Sequence, residues 1–175
     1  YNEETARIWK FFLHLRYRLF PYIWSAVVHA TRTGEPPYRP LVWHHQNDPQ
    51  AWAVDDELYC GDAVLFAPVV EEGCLEREVY LPAGRWIDFW SGERREGGRR
   101  IVADAPFFEP AGLPTYVREG AILPMCPLRM HSAEGDEREL QIHLFPGRDR
   151  EASCSATFHD SPERSWTVRC EPAGD

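Results

Sequence analysis

Lysine is almost missing from this chain: of 19 Lys and Arg residues, only Lys10 is a lysine, a bias that follows coding preference and carries no function. A long apolar run is missing too. A membrane-spanning helix needs ~20 such residues, whereas the best stretch, 22–30, is nine residues long and holds Ser25 and His29. Positive charge is in deficit, and a net charge of -9 repels phosphate backbones. Neither nucleic acid nor a membrane is therefore expected as a partner. The five cysteines (Cys60, Cys74, Cys126, Cys154, Cys170) are odd in number and contain no C-x-x-C pair. That excludes the usual zinc spacings and a complete disulfide framework, and favours free thiols in a reducing compartment, the cytoplasm. Also lacking are G-x-S-x-G, H-E-x-x-H, a Walker loop and a dinucleotide fingerprint. There is no internal repeat and no low-complexity linker.

What is present belongs to a globular chain. Hydrophobic residues make up 43% and charged residues 27% of 175 positions, enough for one ordinary domain or two small ones. Aromatics reach 13%, with seven tryptophans. Such rings either fill the core of a β-sandwich or form a sugar-stacking surface. Almost all of the 15 prolines and 12 glycines lie beyond Thr33, where short segments between turns are expected.

Residues 2–34 read as one long helix. Asn2 caps it, Glu3 and Glu4 suit the positive end of its dipole, and Gly34 with Pro36 and Pro37 stops it. Pro21 sits inside the pattern and predicts a kink or a break. The apolar stripe Ile8, Phe11, Phe12, Leu15, Leu19, Tyr22, Ile23, Ala26, Val27 and Ala30 must dock on something, and a partner outside this chain is expected. Tyr38–Trp43 reads as an edge-like strand because Pro40 cannot donate to a ladder. Asp48-Pro49 suits the start of a helical turn.

Beyond it the pattern is strands at short spacing. Ala63–Val70 is apolar on both faces. It is followed by Glu78–Leu81, Trp86–Trp90, Arg94–Ala103 (interrupted at Gly97-Gly98), Thr115–Arg118, Ala121–Met125, Glu139–Phe145, Ser155–Phe158 and Trp166–Cys170. Glu119-Gly120 predicts a tight hairpin between its neighbours. Glu139–Phe145 alternates, with Leu140, Ile142 and Leu144 on one side. The fold class expected is mainly β: an antiparallel β-sandwich preceded by a long helix and one strand.

Chemistry is harder to place. Asp55-Asp56-Glu57 reads as a solvated charged turn, since adjacent residues point different ways. Asp62, Asp88, Asp104 and Asp160 sit where aspartate bonds its own backbone. His44-His45 lacks acidic or cysteine partners at metal-ligand spacing and reads as a surface or barrel-rim pair. Trp86, Trp90 and Trp166 are read as core rings before sugar platforms. No residue is nominated as catalytic, cofactor-binding or metal-binding, and no cofactor is expected.

Five blocks in order carry a resemblance. They are L-R-Y-R-L-F-P-Y (15–22), T-G-E-P-P-Y-R-P-L (33–41), D-D-E-L-Y-C-G-D-A-V-L-F-A-P-V (55–69), R-E-V-Y-L-P-A-G-R-W-I-D-F-W-S-G (77–92) and Y-V-R-E-G-A-I-L-P-M (116–125). Together they resemble the C-terminal part of glycoside hydrolase family 31, the α-glucosidase and α-xylosidase family. The resemblance implies a (β/α)8 barrel followed by two β-sandwich domains. On that mapping residues 1–54 are the last helix and strand of a truncated barrel, 55–127 the proximal sandwich, and 128–175 an incomplete start of the distal one. The chain departs from the family at Phe158-His159-Asp160-Ser161-Pro162, where an acidic, glycine-containing turn is usual.

The family's two aspartates, a nucleophile and a general acid/base of a retaining mechanism, lie upstream of these blocks. The resemblance therefore implies an intact parent that acts on α-linked oligosaccharides or glycosides. This chain is then an inert structural part that closes and supports the catalytic barrel, its missing partner; a contribution of His44 or His45 to the pocket wall is conceivable. The start at Tyr1, without Met or leader, agrees with the interior of a larger protein. The alternative is a free-standing, non-catalytic β-sandwich module that binds carbohydrate or protein.

Overall fold

The computed structural model describes residues 2–128, 139–147, 154–159 and 161–171. The opening helical segment breaks as the proline predicts. Helix α1 spans Glu3–Arg18 and α2 spans Phe20–Thr33, with Pro21 in the first turn of α2, where its missing N–H costs nothing. Asn2 caps α1 by accepting the Thr5 N–H at 2.8 Å. Gly34 closes α2 with φ 80, a left-handed cap that donates to the Ala30 carbonyl. Side chains with a Cβ resist that conformation.

Two compact units follow: residues 38–118 with the first turns of α1, and residues 9–37 with those from 119 on. In the first, β1 (Tyr38–Pro40) pairs antiparallel with β2 (Leu58–Cys60), and β2 with β3 (Val64–Phe66). Strand β4 is Glu76–Leu81, β5 Arg85–Asp88, β6 Arg94–Glu96, β7 Arg99–Asp104 and β8 Thr115–Arg118. One sheet has the order β1-β2-β3-β8-β5-β6, and β4 pairs with β7. Their inner faces share one core, in which Tyr59, Leu65, Trp86 and Tyr116 of the larger sheet meet Val79, Tyr80, Leu81 and Ala103 of the smaller. This is the expected antiparallel sandwich. Trp86 is only 1% exposed and satisfies its indole by donating to the Pro82 carbonyl at 2.9 Å. Burying rings of that size contributes on the order of 1.5–3 kcal/mol each.

The edge strand is shorter than expected. After Pro40 the chain winds into a 3-10 turn, Leu41–Trp43, which carries Leu41 into the core. Asp48 then caps the short helix α3 (Pro49–Trp52) by accepting the Gln50 N–H. Strand β2 follows from a segment with no strand pattern of its own. It is fixed by its two neighbours.

In the second unit, β9 (Ile122–Met125) pairs with β10 (Gln141–Leu144), and β11 (Cys154–His159) with β12 (Ser165–Cys170). Here the expected hairpin across Glu119-Gly120 is corrected. Strand β8 already has β3 on one side and β5 on the other, so no ladder position remains for β9. The Gly120 N–H bonds the Phe145 carbonyl at 2.6 Å instead. The alternation in β10 holds, but Ile142 and Leu144 lie outward, and His143 on the opposite face is the more buried.

The helical stripe is also corrected in part. Leu15, Leu19, Tyr22 and Val28 are buried within this chain, with α2 against β9 and β11. A different stripe stays open: Trp9 and Leu13, one helical turn apart, are 64% and 45% exposed. No described helix is long and apolar enough to cross a membrane.

Candidate functional site

The densest polar constellation in the first unit gathers where β1 gives way to the 3-10 turn. Arg39 lies opposite Tyr59 in the β1–β2 register. Its side chain is 2% exposed, and its guanidinium holds Asp62 Oδ1 at 2.8 Å on the β2–β3 turn. His44 stands edge-on to the Tyr59 ring, and its Nε2 lies 3.9 Å from the same Asp62 oxygen. His45 stacks on that ring and places Nε2 2.9 Å from the tyrosine hydroxyl. From β8, Arg118 Nη2 donates to that hydroxyl at 3.1 Å. The Arg118 guanidinium lies 5.3 Å from the Tyr59 ring centre and 5.5 Å from that of Trp86, within cation–π range.

Arg118 has no acceptor, so the Tyr59 oxygen accepts from it, and the same hydroxyl shares a hydrogen bond with His45 Nε2 whose direction follows the imidazole tautomer. Burial, then the charges of Arg118 and His44, lower the His45 pKa, against a smaller opposing pull from Asp48. Burial likewise raises the Tyr59 phenol. Both groups are uncharged at neutral pH. The network orients aromatic rings and a cation.

A second cluster sits at the start of β2. Glu57, read from sequence as part of a solvated turn, is buried; this is a correction. Its Oε1 accepts the Tyr80 N–H at 2.7 Å and lies 3.7 Å from Arg77. Burial, outweighing those two, pushes its pKa up to about 7. Asp56 takes the Arg77 guanidinium at 2.8 Å, and Asp55 faces solvent. The Asp48 carboxylate receives the Tyr80 hydroxyl, which lowers its pKa. Burial first, then that carboxylate, pushes the Tyr80 phenol up to about 12.

The remaining sequence candidates scatter. Asp88 bonds its own backbone as expected, accepting the N–H groups of Trp90 and Ser91. Asp104 ends β7 in solvent, and Asp160 lies outside the described residues. Trp86 fills the core; Trp90 is half-buried and donates to the Leu113 carbonyl. Trp166 packs on Phe158 at 5.0 Å. Tyr59, Tyr80 and Arg118 were not singled out from sequence. The one available hint was a charge closing the otherwise uncharged strand Thr115–Arg118. In the second unit a groove of about 400 Å³ runs beside α1, lined by Phe11, His14, Arg18, Leu128 and Gln141, with Arg18 donating to Gln141.

Residues 34–123 match the model of the glycosyl hydrolase family 31 C-terminal domain. The α-xylosidase of Saccharolobus solfataricus is 33% identical over 139 residues, which cover 79% of this chain and 19% of that protein. The sulfoquinovosidase of Agrobacterium fabrum is 45% identical over 94 residues, 53% of this chain and 14% of that one. Among solved structures, the Flavobacterium johnsoniae GH31 dextranase complexed with isomaltotriose superposes with a TM-score of 0.83 at 32% identity, over 91% of this chain and 19% of that one. The cycloalternan-forming enzyme of Listeria monocytogenes, in complex with a pentasaccharide substrate, gives 0.86 at 26% identity, over 97% and 16%. The chain spans about a fifth, or less, of the length of these relatives.

Proposed function

The chain belongs to glycoside hydrolase family 31, as a C-terminal domain of that α-glycosidase family, and from that premise we propose that it closes and buttresses the catalytic barrel of a retaining α-glycoside hydrolase. The single observation that carries this reading is the open stripe Trp9–Leu13 on α1. Two large apolar side chains left open side by side on one helix face gain burial when a partner covers them. Of residues 1–54, helices α1 and α2 would then belong to the barrel; the expected last barrel strand is corrected, because β1 pairs with β2 inside the sandwich sheet. Residues 55–127 would form the rest of the proximal sandwich and 128–175 the beginning of the distal one.

Chemistry on this reading comes from two aspartates of the barrel. One forms a covalent glycosyl intermediate and the other protonates the leaving oxygen, then activates water. The acids near His45 are engaged elsewhere: Asp48 with Tyr80, Asp56 with Arg77, and Asp62 with Arg39. The substrate is an α-linked oligosaccharide or glycoside.

The test is proton NMR of the first sugar released by the intact protein from an α-linked aryl glycoside. Appearance of the α-anomer before mutarotation is expected; the β-anomer first, or no turnover of any α-glycoside, overturns the mechanism. The 175-residue chain alone should hydrolyse nothing. Saturable tryptophan quenching by oligosaccharides in that isolated chain would favour a carbohydrate-binding module instead.

A further inference from the structure

Cys154 and Cys170 stand directly opposite each other in the β11–β12 ladder, at the end of the hairpin away from its turn. Residues facing one another across antiparallel strands have Cα atoms about 4.5–5.5 Å apart. That range lies inside the roughly 4.4–6.8 Å that a disulfide spans. Both are free thiols, and both are half-buried. They lie on the same face as the next pairs along, Ala156–Val168 and Phe158–Trp166, whose rings are packed at 5.0 Å. The ladder is held on its other face by Thr157 and Thr167, whose hydroxyls bond at 2.8 Å. It is tied to α2 through Ser25 Oγ, which accepts the His159 N–H at 2.9 Å. The two thiols are therefore presented to each other by a backbone that is already in register.

We propose that Cys154 and Cys170 form a redox-sensitive dithiol that closes to a cross-strand disulfide when the protein meets a low-molecular-weight disulfide. The thiolate of one cysteine attacks the external disulfide, releasing one small thiol and leaving a mixed disulfide on the protein. The second cysteine, deprotonated, attacks the protein sulfur of that bond and expels the second small thiol. Two protein thiols are oxidised by two electrons, and one external disulfide is reduced to two thiols. Burial and the hydrogen bond to Cys170 raise the Cys154 pKa, so Cys154 rests as a thiol until an exchange partner arrives. Closure staples the open end of the hairpin, with residues 155–169 inside the loop. The other three cysteines lie elsewhere: Cys126 donates to the Tyr17 carbonyl, Cys60 is buried on β2, and Cys74 lies near Glu71.

The experiment uses the intact protein incubated with glutathione disulfide, alkylated and digested with trypsin without reduction. The peptide 151–164 and the peptide beginning at Cys170 should be recovered joined, and reduction should separate them. Recovery of both as separate glutathione adducts, or as alkylated peptides after prolonged exposure, overturns the proposal. Cys154→Ser supplies the second readout. Closure should raise the melting temperature of the unsubstituted protein; in the variant Cys170 should accumulate as a trapped glutathione adduct, and the rise in melting temperature on oxidation should vanish. An unchanged rise in that variant also overturns it.

Discussion

Glu57 is a carboxylate whose folded pKa, about 7, lies above its ordinary value of 4.5. The folded chain therefore holds its proton more tightly between those values, so this stabilising contribution is complete below pH 4.5 and is lost as pH rises through 7. Glu57→Gln keeps an oxygen for the Tyr80 N–H and leaves the Asp56–Arg77 pair in place. It should flatten that dependence and raise stability above pH 7 by about 1–3 kcal/mol, checked by thermal melts across the range. His45 acts oppositely: its folded pKa is depressed, so its contribution is present above 6.5 and is lost as pH falls through the lowered value. Tyr59→Phe removes the acceptor of Arg118 and the hydrogen-bond partner of His45 Nε2, and should cost about 1–3 kcal/mol in chemical denaturation. None of this was legible in the run Asp55-Asp56-Glu57, because a buried acid is recognised by its partner, and the Tyr80 N–H is 23 positions away.

Among the elements, turns separate sequence from structure most sharply. Gly97 is where a single methyl group decides. A Cβ there would stand 2.0 Å from the Pro82 carbonyl oxygen and 2.9 Å from Trp86 Nε1, the two partners of the indole hydrogen bond. Gly97→Ala should cost on the order of 2–4 kcal/mol by denaturant titration. Gly147→Ala, with open space around the new group and no positive φ, should stay within about 0.5 kcal/mol. The helix break at Pro21, the Gly34 stop and most strands were legible because proline, glycine and alternating apolar residues act locally. Glu119-Gly120 misleads for the opposite reason. Its composition suits a hairpin, but the ladder positions of β8 are taken by β3 and β5, strands far away in sequence. Strand β2 was missed on the same grounds.

At the scale of the molecule the question is what covers α1. Half of the expected partner turned out to be internal, since Leu15, Leu19 and Tyr22 are buried by the chain itself. The stripe Trp9–Leu13 is left, and it belongs to the proposed barrel contact. In the intact protein Leu13→Asp should lower the melting temperature and reduce activity through kcat and stability together, while leaving the isolated chain's melt unchanged within about 0.5 kcal/mol. The most direct measurement is hydrogen exchange of the α1 backbone amides, residues 7–18, in the 175-residue chain and in the intact protein. Slow exchange in the intact protein, with much faster exchange in the isolated chain, is the predicted result. Equal protection in both would contradict the claim that this helix is made to lie against the catalytic barrel.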